Sequence, residues 1–309
     1  MEIIRGPGNL KESHRGSVVT IGNFDGVHAG HQAILKQVKD KAGELDVPAM
    51  LICFEPQPKE FFDEFNAPAR LTRFREKVEL LEGNGIDLVL CLKFNEETRS
   101  MTAQRFMDLL TNDIKVRALF IGDDFQFGHD RSGDFKMLQI SGEEHGFTVT
   151  NMYTLTRGQV RVSSTHIREC LARGEFEAAE EMLGHAYTIT GKVVYGRQIG
   201  RTMGVPTANI QLHRYRAPID GVYAVEVLGL DTGYQGVANV GVRPTIEEET
   251  LKPILEVHIF DFEQDIYGRS VNVVFRHKIR DEKKFEGIDQ LKAAIFADID
   301  SAREFFGNK

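Results

Sequence analysis

The chain of 309 residues has the composition of a globular protein, with 41% hydrophobic residues, 27% charged residues and no tryptophan. Its length is sufficient for two domains that each bury a core. The formal net charge is −8; residues 1–184 carry 22 basic and 29 acidic side chains, and residues 185–309 carry 16 and 17. Neither half has the basic excess of a protein that mainly binds nucleic-acid phosphates. We therefore expect small-molecule substrates rather than nucleic acid as partners.

The apolar segments are too short for a membrane span, because none approaches the roughly 18 residues that a spanning helix needs. The N-terminal segment, Met1–Gly6, lacks the apolar core of a signal peptide. Cys53, Cys91 and Cys170 are far apart and lack the spacing of a metal site. These features predict a cytoplasmic protein with reduced cysteines and no membrane association.

The first 150 residues alternate apolar runs with helical patterns. Helical periodicity lies near residues 28–44, 72–83, 102–112 and 134–145. Between them, five runs predict buried parallel strands: Ser17–Ile21, Ala49–Phe54, Asp87–Leu92, Ala118–Gly122 and Phe147–Met152. This alternation predicts a doubly wound α/β sheet, whose ligands bind beyond the carboxyl ends of the strands.

The segment Val18–His31 predicts a strand, a tight loop and the start of a helix. The loop is rich in turn-forming residues, namely Gly22, Asn23, Asp25 and Gly26. His28 and His31 share one face of the first helical turn, where unpaired backbone N–H groups favour an anion. Two imidazoles at such a place suit the phosphate chain of a nucleotide, and adenylyl or cytidylyl transfer is the matching chemistry. The alternative is that the histidines only cap the helix.

Other phosphate-binding patterns are absent, since no G-x-G-x-x-G follows the first strand and no Walker lysine motif occurs. Ser163–Arg168 predicts the start of another helix, with Ser163 or Ser164 as the N-cap. A short helix, Phe176–Leu183, follows and ends at Gly184. We place the boundary between two domains, residues 1–184 and 185–309, at this glycine.

The second domain has a different sequence pattern, in which short predicted strands are separated by Gly, Pro or Asp. The predicted strands are Tyr187–Tyr195, Val222–Leu228, Gln235–Val240, Ile254–Phe260 and Val271–Phe275. Their close spacing predicts an antiparallel barrel or sandwich. A terminal helix is predicted from Ile288 to Phe306.

Two segments of this domain contain side chains suited to binding a metal ion or to acid–base catalysis. Thr207 and Asn209 point to the same side of an extended chain, and their oxygen atoms suit a hard cation such as Mg²⁺. Leu255, Val257 and Ile259 form the apolar face of one strand, and their alternation places Glu256 and His258 on the opposite face. A carboxylate there could act as general base toward a bound hydroxyl. The alternatives are a plain turn at residues 206–209 and a solvated polar face on the strand.

Four stretches of the first domain resemble the signature of bacterial bifunctional riboflavin kinase/FAD synthetases. They are Thr20–His31, Phe54–Pro58, Ile121–Gly128 and Val162–Arg168. The resemblance implies a Rossmann-like nucleotidyltransferase domain that binds ATP and FMN. It implies catalysis by His28 and His31, with the further ATP contacts Gly22, Asn23, Phe24, Gly26, Ser164, Thr165 and Arg168, and FMN contacts at Asp124 and Phe125. Gln57 stands where many relatives have histidine, so a proton-transfer role there is not expected.

Two stretches of the second domain, Gly204–Asn209 and Leu255–Phe262, resemble the riboflavin kinase barrel of the same family. The resemblance implies a β-barrel with a terminal helix, Mg²⁺ ligands at Thr207 and Asn209, and Glu256 as catalytic base toward riboflavin. Its implied flavin contacts are Glu256, Arg280 and Phe285. Its implied ATP contacts are Gly191, Lys192, Gly196, Gly200, Gly204, Pro206, Thr207 and Asn209. His258 is expected to be structural.

Three other functions remain as alternatives. A related nucleotidyltransferase could act on a pantetheine or nicotinamide phosphate, with an unrelated barrel attached. A tRNA-synthetase-like enzyme would share the two histidines, but this chain has no Lys-Met-Ser-Lys-Ser-like loop. A flavin-binding sensor would have lost catalysis, although Thr207, Asn209 and Glu256 are all present.

Overall fold

The structure is a computed structural model that describes residues 1–122, 125–152, 156–157, 160–196, 200, 203–244 and 251–307. The chain divides into two compact units. The first comprises Met1–Ala67 and Thr72–Ser163, and the second comprises Pro68–Leu71 and Ser164–Lys309. The compact units thus divide after Ser163, so residues 164–184 lie with the second unit rather than the first. The division of function at residue 184 stays a prediction.

A six-stranded parallel sheet forms the centre of the first unit. Its strands are β1 (Glu2–Arg5), β2 (Val18–Ile21), β3 (Ala49–Glu55), β4 (Leu88–Lys93), β5 (Ala118–Gly122) and β6 (Thr148–Met152). Their order in the sheet is β1-β4-β3-β2-β5-β6. The predicted α/β sheet is confirmed. Strand β1 was not predicted, because its four residues become a strand only by pairing with β4.

Helices cover both faces of this sheet. They are α1 (Ala29–Leu45), α2 (Pro58–Phe62), α3 (Phe74–Gly83), α4 (Glu96–Arg99), α5 (Ala103–Asp108), a π-helical turn (Leu109–Ile114) and α6 (Phe135–His145). Helices α1 and α3 share a core with one face of the sheet, whereas α5 and α6 share a core with the other. Burial on both faces explains why the strands are continuous apolar runs. Cys53 and Cys91 lie in this core as free thiols, as predicted.

The strand order places the loop after β2 at a topological switch point. From β2 the chain proceeds to β3 and β4 on one side, and then returns to β5 on the other side of β2. In open parallel sheets the crevice at such a switch, beyond the carboxyl ends of the strands, is where ligands bind. The predicted phosphate loop therefore lies at the expected ligand position of the fold.

The second unit contains a closed six-stranded antiparallel barrel. Its elements are α7 (Ser164–Arg173), α8 (Phe176–Leu183), β9 (Thr188–Val194), β10 (Ala208–Gln211), β11 (Gly221–Leu228), β12 (Tyr234–Pro244), β13 (Leu251–Ile259), β14 (Ser270–Arg280) and α9 (Ile288–Gly307). The barrel order is β10-β13-β12-β11-β14-β9, which decides between barrel and sandwich. Ile299 and Ala302 of α9 pack on Val222, Ala224 and Val237 of the barrel.

Two short strands form a separate antiparallel pair: β7 (Thr156–Arg157) pairs with β8 (Val160–Arg161). Across the described parts of both units, no helix combines the length and apolar character needed to cross a membrane.

Candidate active sites

The loop between β2 and α1 has a strained backbone that buried contacts fix in place. Phe24 and Val27 have φ of 47° and 41°, in the left-handed region that favours glycine. Both side chains are buried in the core of the first unit. The backbone N–H of Gly26 donates to the Thr72 hydroxyl at 2.9 Å, and the backbone N–H of Thr72 donates to the Asp25 carboxylate at 3.0 Å. The loop is therefore held in one conformation before any ligand binds.

His28 is the N-cap of α1. Its Nδ1 atom accepts a hydrogen bond from the backbone N–H of His31 at 3.3 Å. Because Nδ1 accepts, the proton of a neutral His28 ring lies on Nε2. The two imidazole rings stack with their centroids 3.6 Å apart, and Phe24 stacks on His31 at 4.5 Å. The cap uses Nδ1 of His28, and capping is compatible with a role of this loop in anion binding.

The imidazole of His31 is neutral at neutral pH. Burial lowers the pKa of His31 well below its usual value, and the charges of His28 and Lys77 lower it further. The Nδ1 atom of His31 and the Oδ1 atom of Asn23 are buried without a hydrogen-bond partner among the described residues. Such atoms are exceptions in folded proteins. The positive field at this site therefore comes from the helix N-terminus and from Lys77 rather than from a charged His31.

The two glycines predicted in this loop are needed for different reasons. A Cβ atom at Gly22 would lie 3.1 Å from the Phe24 ring, so a side chain there would displace a buried aromatic ring. Gly26 has a φ of 84°, a conformation that side chains disfavour. Both glycines therefore support the shape of the loop.

The structure does not test the remaining nucleotide contacts predicted for the first domain. Ser164 and Thr165 begin α7, and the Arg168 side chain donates to the carbonyl of Ala69; all four residues belong to the second compact unit. Their place at the triphosphate stays a prediction. Asp124 lies outside the described residues.

A large aromatic cavity lies in the first unit, beyond the carboxyl ends of β3, β4 and β5. It has a volume of about 880 Å³, and Phe125 is among its lining residues. Five further phenylalanines that were not predicted as ligand contacts also line it, namely Phe54, Phe62, Phe94, Phe106 and Phe127. Phe62 is 63% exposed, and the Arg99 guanidinium lies 5.5 Å from the centre of its ring. Exposed aromatic rings around a cavity of this size suit a planar aromatic ligand.

In the second unit, three polar side chains form a row across adjacent barrel strands. Asn209 of β10 pairs with Glu256 of β13, and Glu256 pairs with Asn239 of β12. Directly paired residues project to the same side of a sheet, with Cβ atoms about 5 Å apart. All three line a cavity of about 310 Å³. Leu255, Val257 and Ile259 are buried on the other face of β13, as the alternation predicted.

The segment before β10 is fixed by a histidine and by two glycines. A ring nitrogen of His258, Nδ1, lies 2.8 Å from the carbonyl oxygen of Pro206, which supports the prediction of a structural role for His258. A Cβ atom at Gly196 would clash with the Asn209 amide, and one at Gly200 would clash with the Val205 carbonyl. Thr207 and Asn209 both line the cavity that contains Glu256. The predicted hydroxyl, amide and carboxylate therefore do converge.

Arg280 and Phe285 line the same cavity, and their predicted role as flavin contacts stays a prediction. Asp298 of α9 holds the Arg280 guanidinium by two hydrogen bonds, at 2.8 and 2.7 Å. The guanidinium also lies 5.6 Å from the centre of the Phe285 ring. The Asp298 carboxylate is only 9% exposed, so the pair is largely shielded from solvent. Asp298 was not predicted, because nothing in the local sequence of α9 links it to β14.

For the riboflavin substrate that the resemblance implies, replacement of Asp298 by asparagine is expected to raise the KM about tenfold, because hydrogen bonds to charged groups contribute about 1.5–3 kcal/mol. The change leaves the Arg280 guanidinium without a charged partner and frees it to leave the Phe285 ring. Steady-state kinetics of FMN formation measure the effect. Asp261→Asn is the matched control, since its exposed pair with Arg303 at 3.0 Å also involves α9. Equal KM values for the two variants would contradict a role of Asp298 in holding Arg280 at the flavin cavity.

A second cavity of the barrel unit lies on the other side of Thr207. It has a volume of about 440 Å³ and shares Thr207 with the cavity that contains Glu256. Its apolar lining consists of Val193, Val257, Ile259, Phe262, Ile266 and Tyr267, and its polar lining includes Glu263, Gln264 and Asp265. The two cavities can thus receive two ligands whose reacting groups meet near Thr207.

Four of the predicted ATP contacts in the barrel are not among the residues that line these two cavities, namely Gly191, Lys192, Gly196 and Gly204. Gly191 is buried within β9, where a Cβ atom would lie 2.7 Å from the Gln211 carbonyl oxygen. Barrel packing alone therefore explains this glycine. Lys192 is exposed on the same strand. Neither residue is among the lining of the two barrel cavities, and their role toward ATP stays a prediction.

An α/β unit with a phosphate-binding loop and a barrel with a carboxylate beside hydroxyl and amide groups define a two-site, nucleotide-dependent transferase. Comparison with family models agrees: FAD synthetase matches residues 10–166, and riboflavin kinase matches residues 183–306. The chain belongs to the family of bifunctional riboflavin kinase/FMN adenylyltransferases.

Individual relatives cover nearly the whole chain. The bifunctional riboflavin kinase/FMN adenylyltransferase of Escherichia coli strain K12 is 49% identical over 99% of this chain and 98% of its own. That of Haemophilus influenzae is 47% identical over 100% of both chains. A crystal structure described as a macrolide-efflux protein from Streptococcus pneumoniae matches 98% of this chain and 99% of its own, with 30% identity and a TM-score of 0.80. This likeness extends over both units.

Proposed function

We propose that the first unit adenylylates FMN at the loop of His28 and His31. A phosphate oxygen of FMN attacks the α-phosphorus of ATP, and the bond to pyrophosphate breaks. The strained loop and the N-terminus of α1 hold the phosphate chain, and the Nε2–H group of His28 donates to it. Catalysis then requires positioning and charge stabilisation rather than a covalent intermediate. The observation that carries this proposal is the stacked pair of imidazoles at the helix N-terminus.

The aromatic cavity of the first unit is the proposed site of the isoalloxazine ring. Phe54 and Phe62 lie at the end of β3 and after it, and Phe125 follows β5. Since β3 and β5 are parallel strands of one sheet, these rings converge beyond the same edge of the sheet. Stacking on such rings holds a planar ligand with little need for charge. Arg99 and Arg131 at the cavity supply positive charge that suits the phosphate of FMN. This arrangement supports the contact with FMN that the resemblance implies for Phe125.

We further propose that the barrel phosphorylates riboflavin. The ribityl 5′-hydroxyl attacks the γ-phosphorus of ATP, ADP leaves, and Glu256 accepts the hydroxyl proton. The cavity with Glu256, Arg280 and Phe285 would hold riboflavin, and the apolar cavity beyond Thr207 would hold the adenine of ATP. Supporting this arrangement, Thr207 lines both cavities, so that the γ-phosphate and the hydroxyl can meet there.

Thr207 and Asn209 have the hard oxygen donors that suit Mg²⁺. Among the described residues, no group of three His, Cys, Asp or Glu side chains could hold a metal ion. A site with so few protein ligands suits Mg²⁺, which keeps water and phosphate oxygens in its shell. When bound, the ion would neutralise phosphate charge. The protein would hold the side chains of Thr207 and Asn209 in position for the ion. The contact between His258 and the carbonyl oxygen of Pro206 supports that position.

A time course with riboflavin, ATP and Mg²⁺ tests both activities in one experiment. We expect FMN to form first and FAD to follow, measured by chromatographic separation of the two flavins. Chelation of the divalent cation with EDTA is expected to stop both steps, and added Mg²⁺ is expected to restore them. Formation of neither product would contradict both assignments. Formation of FMN at an unchanged rate in EDTA would contradict the metal role of Thr207 and Asn209.

A further inference from the structure

A row of paired residues runs across five strands of the barrel, along the cavity that contains Glu256. Asn209 pairs with Glu256, Glu256 with Asn239, Asn239 with Val222, and Val222 with Arg280. Directly paired residues project to the same side of a sheet. All five residues line the cavity of about 310 Å³, so the row forms one wall of it.

The two ends of this wall have different proposed roles. Glu256 lies where the 5′-hydroxyl of riboflavin would react, and Arg280 lies where the flavin ring would bind. Asn239 lies between them, one strand from Glu256 and two strands from Arg280. Neighbouring strands are about 4.8 Å apart, so Asn239 is about 5 Å from Glu256 and about 10 Å from Arg280 along the wall. The ribityl chain has to cross this distance, because it connects the ring to the 5′-hydroxyl.

On the side away from Glu256, the neighbours of Asn239 are apolar. Val222 is 4% exposed, and Val237, two positions earlier on the same face of β12, is 7% exposed; both pack in one core with α9. Asn239 itself is half-buried, and no hydrogen bond holds its side-chain amide to another of the described residues. A polar group that loses water without gaining a partner is costly. The amide is therefore placed to bind a ligand in the cavity.

An amide suits the hydroxyl groups of a sugar-like chain. Asparagine offers two N–H donors and a carbonyl acceptor, and a hydroxyl group can both donate and accept. Because the amide of Asn239 is neutral, it can bind hydroxyls beside Glu256 without adding a charge next to the base. The ribityl chain carries secondary hydroxyls at the 2′, 3′ and 4′ positions. Those at 3′ and 4′ lie nearest the reacting 5′-hydroxyl, and the 2′-hydroxyl lies beside the ring.

We propose that Asn239 is a specificity-determining residue of the kinase reaction, whose side-chain amide hydrogen-bonds to the 3′- or 4′-hydroxyl of riboflavin. This bond fixes the ribityl chain against the barrel wall and so places the 5′-hydroxyl at Glu256. The site then selects the hydroxylated chain as well as the flavin ring. The inference rests on the proposed function of the barrel.

Asn239→Ala tests this role when it is combined with a changed substrate. The probe is 3′,4′-dideoxyriboflavin, which retains the ring and the reacting 5′-hydroxyl. The measured quantity is the preference for riboflavin over the probe, as a ratio of kcat/KM values for formation of the flavin phosphate. We expect this ratio to be about tenfold smaller in Asn239→Ala than in the wild type, because the variant has lost the partner of the missing hydroxyl. General damage to the barrel would lower both kcat/KM values and leave their ratio unchanged.

2′-Deoxyriboflavin is the matched control substrate, since its missing hydroxyl lies beside the ring and away from Glu256. The preference for riboflavin over this analogue should be the same in the wild type and in Asn239→Ala. The KM for ATP should also stay unchanged, because Asn239 is not among the residues that line the cavity proposed for adenine. A change confined to 2′-deoxyriboflavin would overturn the proposed contact.

Asn272→Ala is the matched control variant. Asn272 lies on β14, accepts a hydrogen bond from the Thr190 hydroxyl at 2.8 Å, and is not among the lining of either barrel cavity. Its loss removes one hydrogen bond of the barrel and should leave the preference ratio at the wild-type value. Asn239→Ser retains a hydroxyl group at the wall and is expected to give an intermediate ratio.

The outcomes separate the two levels of the proposal. Equal preference ratios in the wild type and in Asn239→Ala would overturn the role of Asn239, although the wild type still forms FMN. The proposed function of the barrel is tested independently by Glu256→Gln, which leaves Asn239 in place. Full FMN formation by Glu256→Gln would overturn the site itself.

Discussion

Replacement of His28 by asparagine is expected to reduce FAD formation by about 100- to 1,000-fold while FMN accumulates, the loss that follows removal of one transition-state donor. Asparagine is a good N-cap and can accept the same backbone hydrogen bond. The substitution therefore retains the helix cap that His28 provides through Nδ1 and removes only the imidazole that faces the ligand. Release of pyrophosphate with FMN and ATP as substrates measures the effect.

His28→Ala is the companion variant, because alanine removes both the cap and the imidazole. Loss of an N-cap costs about 1 kcal/mol of stability, so His28→Ala should unfold at a lower temperature than His28→Asn. Both variants should lose FAD formation to a similar extent and retain FMN formation by the barrel. If His28→Asn were fully active and only His28→Ala impaired, the cap would be the whole role of this histidine.

Replacement of Glu256 by glutamine is expected to reduce FMN formation by about 100- to 10,000-fold, the range expected for a general base. Glutamine retains the size of the side chain and its position between Asn209 and Asn239, but it cannot accept the proton of the ribityl hydroxyl. When FMN is supplied directly, FAD formation by the variant should be normal. The rate of ATP-dependent FMN formation measures the effect.

Glu226→Gln is the matched control for Glu256. Glu226 also lies on a barrel strand, β11, and its carboxylate pairs with Arg276 at 2.9 Å. Its loss removes one partly exposed ion pair and leaves the cavities unchanged, so FMN formation should stay near the wild-type rate. Similar losses in both variants would indicate general damage to the barrel and would count against Glu256 as the base.

Much of the fold could be predicted because its signals are local. The five apolar runs became β2 to β6 within about one or two residues of their predicted bounds. Burial on both faces of the sheet and the buried alternation along β13 follow from apolar spacing alone. The four residues of β1 carry no comparable signal, since an edge strand so short exists only through its pairing with β4.

The sites could be predicted only where their residues are close in sequence. His28 and His31 are three positions apart, and Thr207 and Asn209 are two positions apart, so local geometry already places each pair on one face. Asp298 could not be found in this way, because the residue that it binds, Arg280, lies 18 positions earlier on another element. The hydrogen bond between Thr72 and Asp25 joins residues 47 positions apart.

By itself the sequence determined the order of the elements, the phosphate loop with its two histidines, and the polar face of β13 with Glu256. Only the tertiary structure decided that the second sheet closes into a barrel, that Asn239 lies beside Glu256, and that aromatic rings from several segments enclose one cavity. It also decided that Lys77 of α3 is fully buried, with its Nζ atom unpartnered among the described residues. The physical reason is that periodicity and turns act over a few residues, whereas register, packing and electrostatic coupling join segments that meet only when the chain folds.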